Sequence, residues 1–313
     1  MNPELRNKID SSLPGLLRQA SATISVNRMV GVNGERVILP LEGRDIEMVY
    51  YRAASENAPL IVGYHSGGWL FGGCALNDIM WTAMSEALGV NIASIGYRKA
   101  PKFKWRESLA DAYDSAMYLY DHSKEYGFDK SRVSLLGPSA GGNMAAAVCI
   151  KALRENRMVF DKLFLLYPLL DVSTEPELKG AEYYGGPSAY IMNEQHISAE
   201  ESTDPLASPV FAGPDDLKGF PDTYCYAAGH DVLNHEDKIF ADKVTDAGGK
   251  GICIIEPEMS HCYFELGFRD RLTDFEKDFI GPDGVRSFDS GATKAATYRT
   301  LDNIKKVFEN DKR

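Results

Sequence analysis

The sequence predicts an α/β fold with a mostly parallel, eight-stranded sheet flanked by helices. Two observations carry this. Short apolar, partly β-branched runs recur along the 313 residues, with helix-like runs between them. That alternation is the pattern of a parallel sheet covered on both faces. The composition, 44% hydrophobic and 25% charged, is that of a folded globular chain able to bury a core without disulfides or metals. With no repeat or low-complexity linker, residues 1–313 read as a single domain.

Strands are expected at 35–40, 45–52, 59–64, 91–97, 132–136, 162–167, 222–228 and 251–256. The first two flank Glu42-Gly43-Arg44-Asp45 and read as an antiparallel hairpin at one edge. Helices are expected at 75–88, 106–126, 140–155, 234–247 and 292–309. In 234–247, Phe240, Val244 and Ala247 share one face, a plain core stripe. Two segments break the alternation. Residues 1–34 precede the sheet and carry Leu13, Leu16, Leu17 and Ile24. Residues 172–220 form a long excursion with Tyr183, Tyr184, Tyr190, Ile191 and Met192. A connection of that length has structure or a task of its own. The two segments together read as a cap over the mouth of a site, against the alternative of surface decoration. A C-terminal extension is expected over 267–313, including the last helix.

The net charge of −11, from 34 Lys+Arg against 45 Asp+Glu, argues against nucleic acid and anionic membranes as partners. No apolar run is long enough to span a bilayer, and Met1 to Lys8 lack the apolar core of a signal peptide. The five cysteines are scattered, with Cys149, Cys225 and Cys253 in apolar runs that suit reduced core residues. A cytoplasmic location is the expectation.

Chemistry concentrates at Gly137-Pro138-Ser139-Ala140-Gly141. The apolar run 132–136 before it reads as a buried strand, and the Ala-rich run after it as a helix. Strand, Gly-x-Ser-x-Gly, helix is the context of a nucleophile elbow, a turn so tight that only small residues fit beside the serine. A serine hydroxyl is a weak nucleophile and needs a base, a group to orient the base, and donors for the oxyanion. His261 follows the strand 251–256, and Asp231 follows the strand 222–228. The order Ser139, Asp231, His261 is that of serine hydrolases on a parallel sheet. Asp171 and Asp237 compete for the acid, and His230 and His235 for the base, but both histidines sit too early in that order. Donors are expected from His65-Ser66-Gly67-Gly68-Trp69, directly after the strand 59–64, where small residues let the backbone approach a carbonyl. His65 reads as structural support for that loop. Trp69 is either core or a wall of the substrate pocket, and Cys262 a packed small residue. His230, His235 and Glu236 lack His-Glu-x-x-His spacing, and a Walker lysine is absent, so neither metal nor nucleotide cofactor is expected.

The blocks His65-Ser66-Gly67-Gly68-Trp69, Tyr97-Arg98-Lys99-Ala100-Pro101, Gly137-Pro138-Ser139-Ala140-Gly141-Gly142-Asn143, Tyr167-Pro168, Asp204-Pro205-Leu206-Ala207-Ser208-Pro209, Gly229-His230-Asp231-Val232-Leu233 and Ser260-His261 stand in that order. Over roughly 45–265 this resembles the hormone-sensitive-lipase-like branch of the α/β-hydrolases, bacterial esterases with a His-Gly-Gly-Gly motif. The resemblance implies Ser139 as nucleophile, His261 as general base and acid, and Asp231 as its orienting carboxylate. It implies an oxyanion hole from the N–H groups of Gly67, Gly68 and Ala140, and a cap built from 1–34 and 172–220. It implies hydrolysis of short-chain carboxylic esters with no metal or cofactor. Three departures stand out. Ser66 replaces the first glycine of the motif, Pro138 replaces an aspartate before the nucleophile, and 267–291, with Gly281-Pro282-Asp283-Gly284, is long. That segment reads as a second lid, an oligomer contact or an insertion. A small-molecule ester is the expected partner, with homodimer formation left open. The alternatives are a deacetylase of sugars or other small molecules, an amide or peptide hydrolase, and a non-catalytic ligand-binding protein on the same fold.

Overall fold

A computed structural model describes residues 3–180 and 186–310. Tyr183 and Tyr184, part of the expected cap, lie outside the described residues. The eight strands are β1 (Glu35–Leu41), β2 (Arg44–Tyr51), β3 (Ala58–Tyr64), β4 (Asn91–Ile95), β5 (Phe128–Pro138), β6 (Lys162–Leu166), β7 (Asp222–Ala228) and β8 (Gly251–Glu256). They form one sheet in the order β1-β2-β4-β3-β5-β6-β7-β8. β1 pairs antiparallel with β2, and β2 with β4; all other neighbours are parallel. Every expected strand is present. The expected 91–97 ends early, at Ile95, where the chain leaves the sheet.

The helices are α1 (Pro3–Met29), α2 (Asp78–Leu88), α3 (Trp105–Asp121), α4 (Ser123–Tyr126), α5 (Ala140–Arg154), α6 (Pro187–His196), α7 (Pro214–Leu217), α8 (Asn234–Asp246), α9 (Tyr263–Leu266), α10 (Asp274–Asp289) and α11 (Ala292–Asn310). The expected helix 106–126 is two, interrupted at His122. Side-chain alternation along the central strands separates two apolar layers. Leu60, Val62, Leu135, Leu163, Leu165 and Cys225 face α3, α5 and α8. Ile61, Leu136, Phe164, Leu166, Tyr224 and Tyr226 face α2, α9 and α11. The last helix thus belongs to the sheet's own packing, through Ala296, Leu301, Ile304 and Phe308. Cys149 and Cys225 are buried, whereas Cys253 is half-buried because β8 is an edge strand.

The two segments that broke the alternation take helical form. α1 packs Ile9, Leu16 and Ala20 against Leu70, Phe71, Tyr190 and Ile191. Arg6 of α1 and Glu194 of α6 form an exposed ion pair at 2.7 Å. α10 is kinked at Gly281, whose φ of 68° is the turn that the Gly-Pro-Asp-Gly sequence signals, yet helix continues on both sides.

Candidate active site

β5 runs straight into Ser139, which turns the chain into α5 at φ 54° and ψ −123°. That left-handed backbone is costly for any residue with a Cβ. It persists because the turn is packed from all sides. A Cβ on Gly137 would come within 2.2 Å of the Gly141 backbone, and one on Gly141 within 2.0 Å of the Tyr64 carbonyl oxygen. The Ser139 N–H donates to the Leu166 carbonyl at 2.9 Å, tying the elbow to the end of β6. Pro138 pairs in register with Leu166 and needs no N–H of its own there. Asn143 on α5 donates to the carbonyls of Leu169 and Ala207, at 2.9 and 2.8 Å, so the Asp204–Pro209 block holds the elbow from below.

The structure brings the three expected residues together. His261 Nε2 lies 2.9 Å from Ser139 Oγ. His261 Nδ1 lies 2.5 Å from Asp231 Oδ2. The second carboxylate oxygen of Asp231 accepts the Leu233 N–H at 3.1 Å, which fixes the carboxylate plane. Burial pushes the His261 imidazole toward a lower pKa. The charge and hydrogen bond of Asp231, with a further contribution from Glu265, outweigh it and hold the pKa above the ordinary imidazole value. The competing residues lie elsewhere. Asp171 accepts from Ser173 and Thr174 in a local turn. Asp237 is buried on α8, where burial and the charge of Asp231 push its pKa well up. His230 is near Glu258 at the surface and His235 is exposed.

The loop after β3 borders the same cavity. Gly67 and Gly68 have φ of 110° and 56°. Among the described residues no carbonyl accepts the N–H of Gly67, Gly68 or Ala140. Three unpaired donors beside a serine oxygen are the equipment for an oxyanion. His65 supports the loop from within the core. Its ring stacks on Tyr97 at 4.2 Å, its Nδ1 bonds the Ser66 carbonyl at 2.7 Å, and Tyr97 donates to the His65 carbonyl at 2.7 Å. Burial, with Lys99 nearby, holds its pKa well down, so the ring is neutral. Arg98, next to Tyr97, is clamped by both oxygens of Asp111 at 2.7 and 2.8 Å.

The cavity measures about 300 Å³. Trp69, fully buried, is both core and wall: its ring stacks on His196 of α6 at 4.2 Å. Phe71, Leu76, Leu169, Ala189, Met192 and Leu266 complete the apolar walls. Gln19 and Thr23 of α1 and Thr273, Glu276 and Ile280 of the 267–291 segment reach it as well. None of these was a candidate from the sequence, because no local signal marks a residue that arrives from a distant element. The thiol of Cys262 is pushed well up by burial and carries no thiolate.

A sequence profile described as alpha/beta hydrolase fold matches residues 61–265. The chain belongs to this family. Its relatives and the ordered blocks place it in the hormone-sensitive-lipase-like branch, with His-Ser-Gly-Gly in place of His-Gly-Gly-Gly. An arylesterase of Saccharolobus solfataricus is 25% identical over 229 residues, spanning 69% of this chain and 72% of its own length. The carboxylic ester hydrolase LipN of Mycobacterium tuberculosis is 29% identical over 226 residues, and the match spans 58% of that protein. Among solved structures, the thermostable carboxylesterase EstE1 from a metagenomic library superposes at a TM-score of 0.71 with 26% identity, covering 90% of this chain and 97% of its own. An esterase of Pyrobaculum calidifontis gives 0.71 at 22% identity, with 94% and 92% covered. Within this α/β-hydrolase, no helix among the described residues is long and apolar enough to cross a membrane.

Proposed function

We infer that the protein is a serine carboxylesterase that hydrolyses short-chain acyl esters through an acyl-enzyme. The observation that carries this is the continuous relay from Ser139 Oγ to His261 at 2.9 Å and on to Asp231 at 2.5 Å, opening into a small apolar cavity. In the reading, Ser139 Oγ adds to the ester carbonyl while its proton passes to His261 Nε2. Asp231 holds the Nδ1–H tautomer and stabilises the imidazolium. The oxyanion faces the N–H groups of Gly67, Gly68 and Ala140, each worth about 3 kcal/mol of barrier. The alcohol leaves with the proton from His261. Water then attacks the acyl-enzyme by the same route and the acid departs.

In this reading α1 and the described part of 172–220 form a cap. Their packing on Leu70 and Phe71, directly after the glycine loop, supports it. α10 acts as a second lid, since Arg269, Thr273, Glu276 and Ile280 of the 267–291 segment line the cavity. A cytoplasmic location and a homodimer belong to the same proposal. β8 supports the latter, as an edge strand exposing Ile252 and Ile255. A second reading, a deacetylase, is favoured by one relative: the arylacetamide deacetylase of Oryctolagus cuniculus, 24% identical over 277 residues.

The test is hydrolysis of p-nitrophenyl esters from acetate to dodecanoate, wild type beside Ser139→Ala. Turnover that peaks at short chains and disappears in the variant is expected. Loss on the order of 10⁶ in kcat follows removal of such a nucleophile. Activity retained in Ser139→Ala overturns the assignment. Faster turnover of p-nitroacetanilide than of p-nitrophenyl acetate moves the protein to the deacetylase reading.

A further inference from the structure

Glu265 is a buried carboxylate in the wall of the cavity, on α9, four residues past His261. Its Oε1 accepts the Ser66 hydroxyl at 2.5 Å and the Asn77 amide. Its Oε2 accepts the Tyr167 hydroxyl at 3.2 Å, and that hydroxyl in turn accepts the Glu265 N–H at 3.3 Å. Arg269, one turn further on, pairs with Glu276 at 2.8 Å, and no lysine or arginine pairs with Glu265 among the described residues. A buried carboxylate without a counter-cation is expensive unless hydrogen bonds replace its water. Here the donors come from three separate parts of the site. Ser66 opens the glycine loop. Asn77 precedes α2 in a left-handed conformation, φ 62°. Tyr167 ends β6 and meets the His261 ring edge-on at 5.0 Å.

Resting on the esterase reading, we propose that Glu265 is a positioning residue of the reaction. Its carboxylate locks the oxyanion loop, through Ser66, to the segment that carries His261, and its charge faces the imidazole that must become positive. Ser66 then has a role that glycine at the same position cannot fill, because only a side-chain hydroxyl reaches the carboxylate. Two effects follow and they separate. The tether sets the position of the Gly67 and Gly68 donors and needs both Ser66 and Glu265. The charge favours the imidazolium and needs Glu265 alone. Among the described residues, the ionisable groups shown around His261 are Asp231 from the turn after β7, Glu265 of α9, Cys262 beside it and Tyr167 after β6. Burial pushes Cys262 and Tyr167 well up, so both stay neutral. Burial, with the charges of Asp231 and Glu236, pushes the carboxyl of Asp237 well up. Among the described residues, Asp231 and Glu265 are the carboxylates whose charge favours the imidazolium.

Glu265→Gln and Ser66→Ala, compared with wild type, test this. The readouts are the pH profile of p-nitrophenyl acetate hydrolysis, the NMR titration of the His261 ring and thermal melting as a folding control. Because His261 must be neutral to accept the serine proton, activity falls as pH drops through its pKa. Removing the Glu265 charge lowers that pKa. The acid limb and the ring titration of Glu265→Gln then move to lower pH by on the order of one unit. Its plateau kcat falls roughly ten- to a hundredfold with KM nearly unchanged. Ser66→Ala lowers kcat in the same direction but leaves the limb in place. Wild-type titration of His261 in Glu265→Gln overturns the proposal, as does wild-type kcat in Ser66→Ala. If the wild-type protein hydrolyses no ester, the esterase reading fails, and the ring titration still decides whether Glu265 acts on His261.

Discussion

Ser139 and Asp231 follow β5 and β7, whose side chains Leu135, Leu136, Cys225 and Tyr226 are buried in the two main apolar layers. The helices that roof them are held differently. α1 and α6 share a satellite cluster of eight buried residues, which also includes Leu70, Phe71 and Ala100. α10 leans on Leu266 and Leu272 through Ile280. The proposed nucleophile and acid thus stand on parts that resist displacement, since a dense core transmits any shift as strain. In the proposed reading, the walls that meet the acyl chain stand on parts with few buried contacts, which open at lower free energy than the core. The difference teaches that this molecule can alter which ester it accepts without disturbing how it cleaves one.

The largest test strikes the dense side. Asp231→Asn keeps the shape of the carboxylate but turns an acceptor toward His261 into a group that favours the wrong tautomer. kcat is expected to fall by about 10⁴ while the melting temperature changes little; stopped-flow or long-endpoint assays beside circular dichroism melts check both. A fall below tenfold would mean that another group orients the imidazole.

The next test joins the two regions. A Cβ on Gly68 would sit 1.9 Å from Met192 Sδ, so α6, part of the proposed cap, rests directly on the loop that carries the proposed oxyanion donors. Gly68→Ala is expected to cost roughly a hundredfold in kcat by displacing a donor. Adding Met192→Ala gives the new methyl room and recovers part of the loss, leaving the strain of φ 56°. Kinetics of the two single variants and the double variant measure this coupling. Additive losses would show that the cap and the loop act independently.

The smallest effect is reserved for the thin side alone. Met192→Ala or Ile280→Ala enlarges the cavity and moves the chain-length optimum upward. The gain is about fourfold in kcat/KM for each methylene newly buried, taking about 0.8 kcal/mol per methylene. The p-nitrophenyl ester series reads it, and an unmoved optimum would place the acyl chain elsewhere.

What the sequence reveals divides along the same line. The strands were legible because parallel strands are apolar on both faces and bounded by turn residues, as in Leu60–Tyr64. Ser139, Asp231 and His261 were legible because Ser139 directly follows β5, and Asp231 and His261 sit in the loops just after β7 and β8. The roof was not. α1 carries Pro14 and Gly15 in the middle of its apolar stripe of Ile9, Leu13, Leu16 and Ala20, and α10 is interrupted by Gly281 and Pro282. Such helices are made by what they pack against rather than by local preference. Trp69 stayed undecided until His196, far along the chain, appeared against its ring. Glu265 went unnoticed for the same reason: its partners Ser66 and Tyr167 lie 199 and 98 residues away. A lone acid within Tyr263-Phe264-Glu265-Leu266 was the one trace it left in the sequence.

The left-handed backbone at Ser139 also limits the chemistry open to descendants of this chain. At φ 54° a side chain with one heavy atom on Cβ is accommodated, while a β-branched one is strongly disfavoured. Sulfur can therefore replace oxygen at position 139 without altering the turn, whereas threonine would strain it. The shape of one residue's backbone selects between nucleophiles before any question of their reactivity arises.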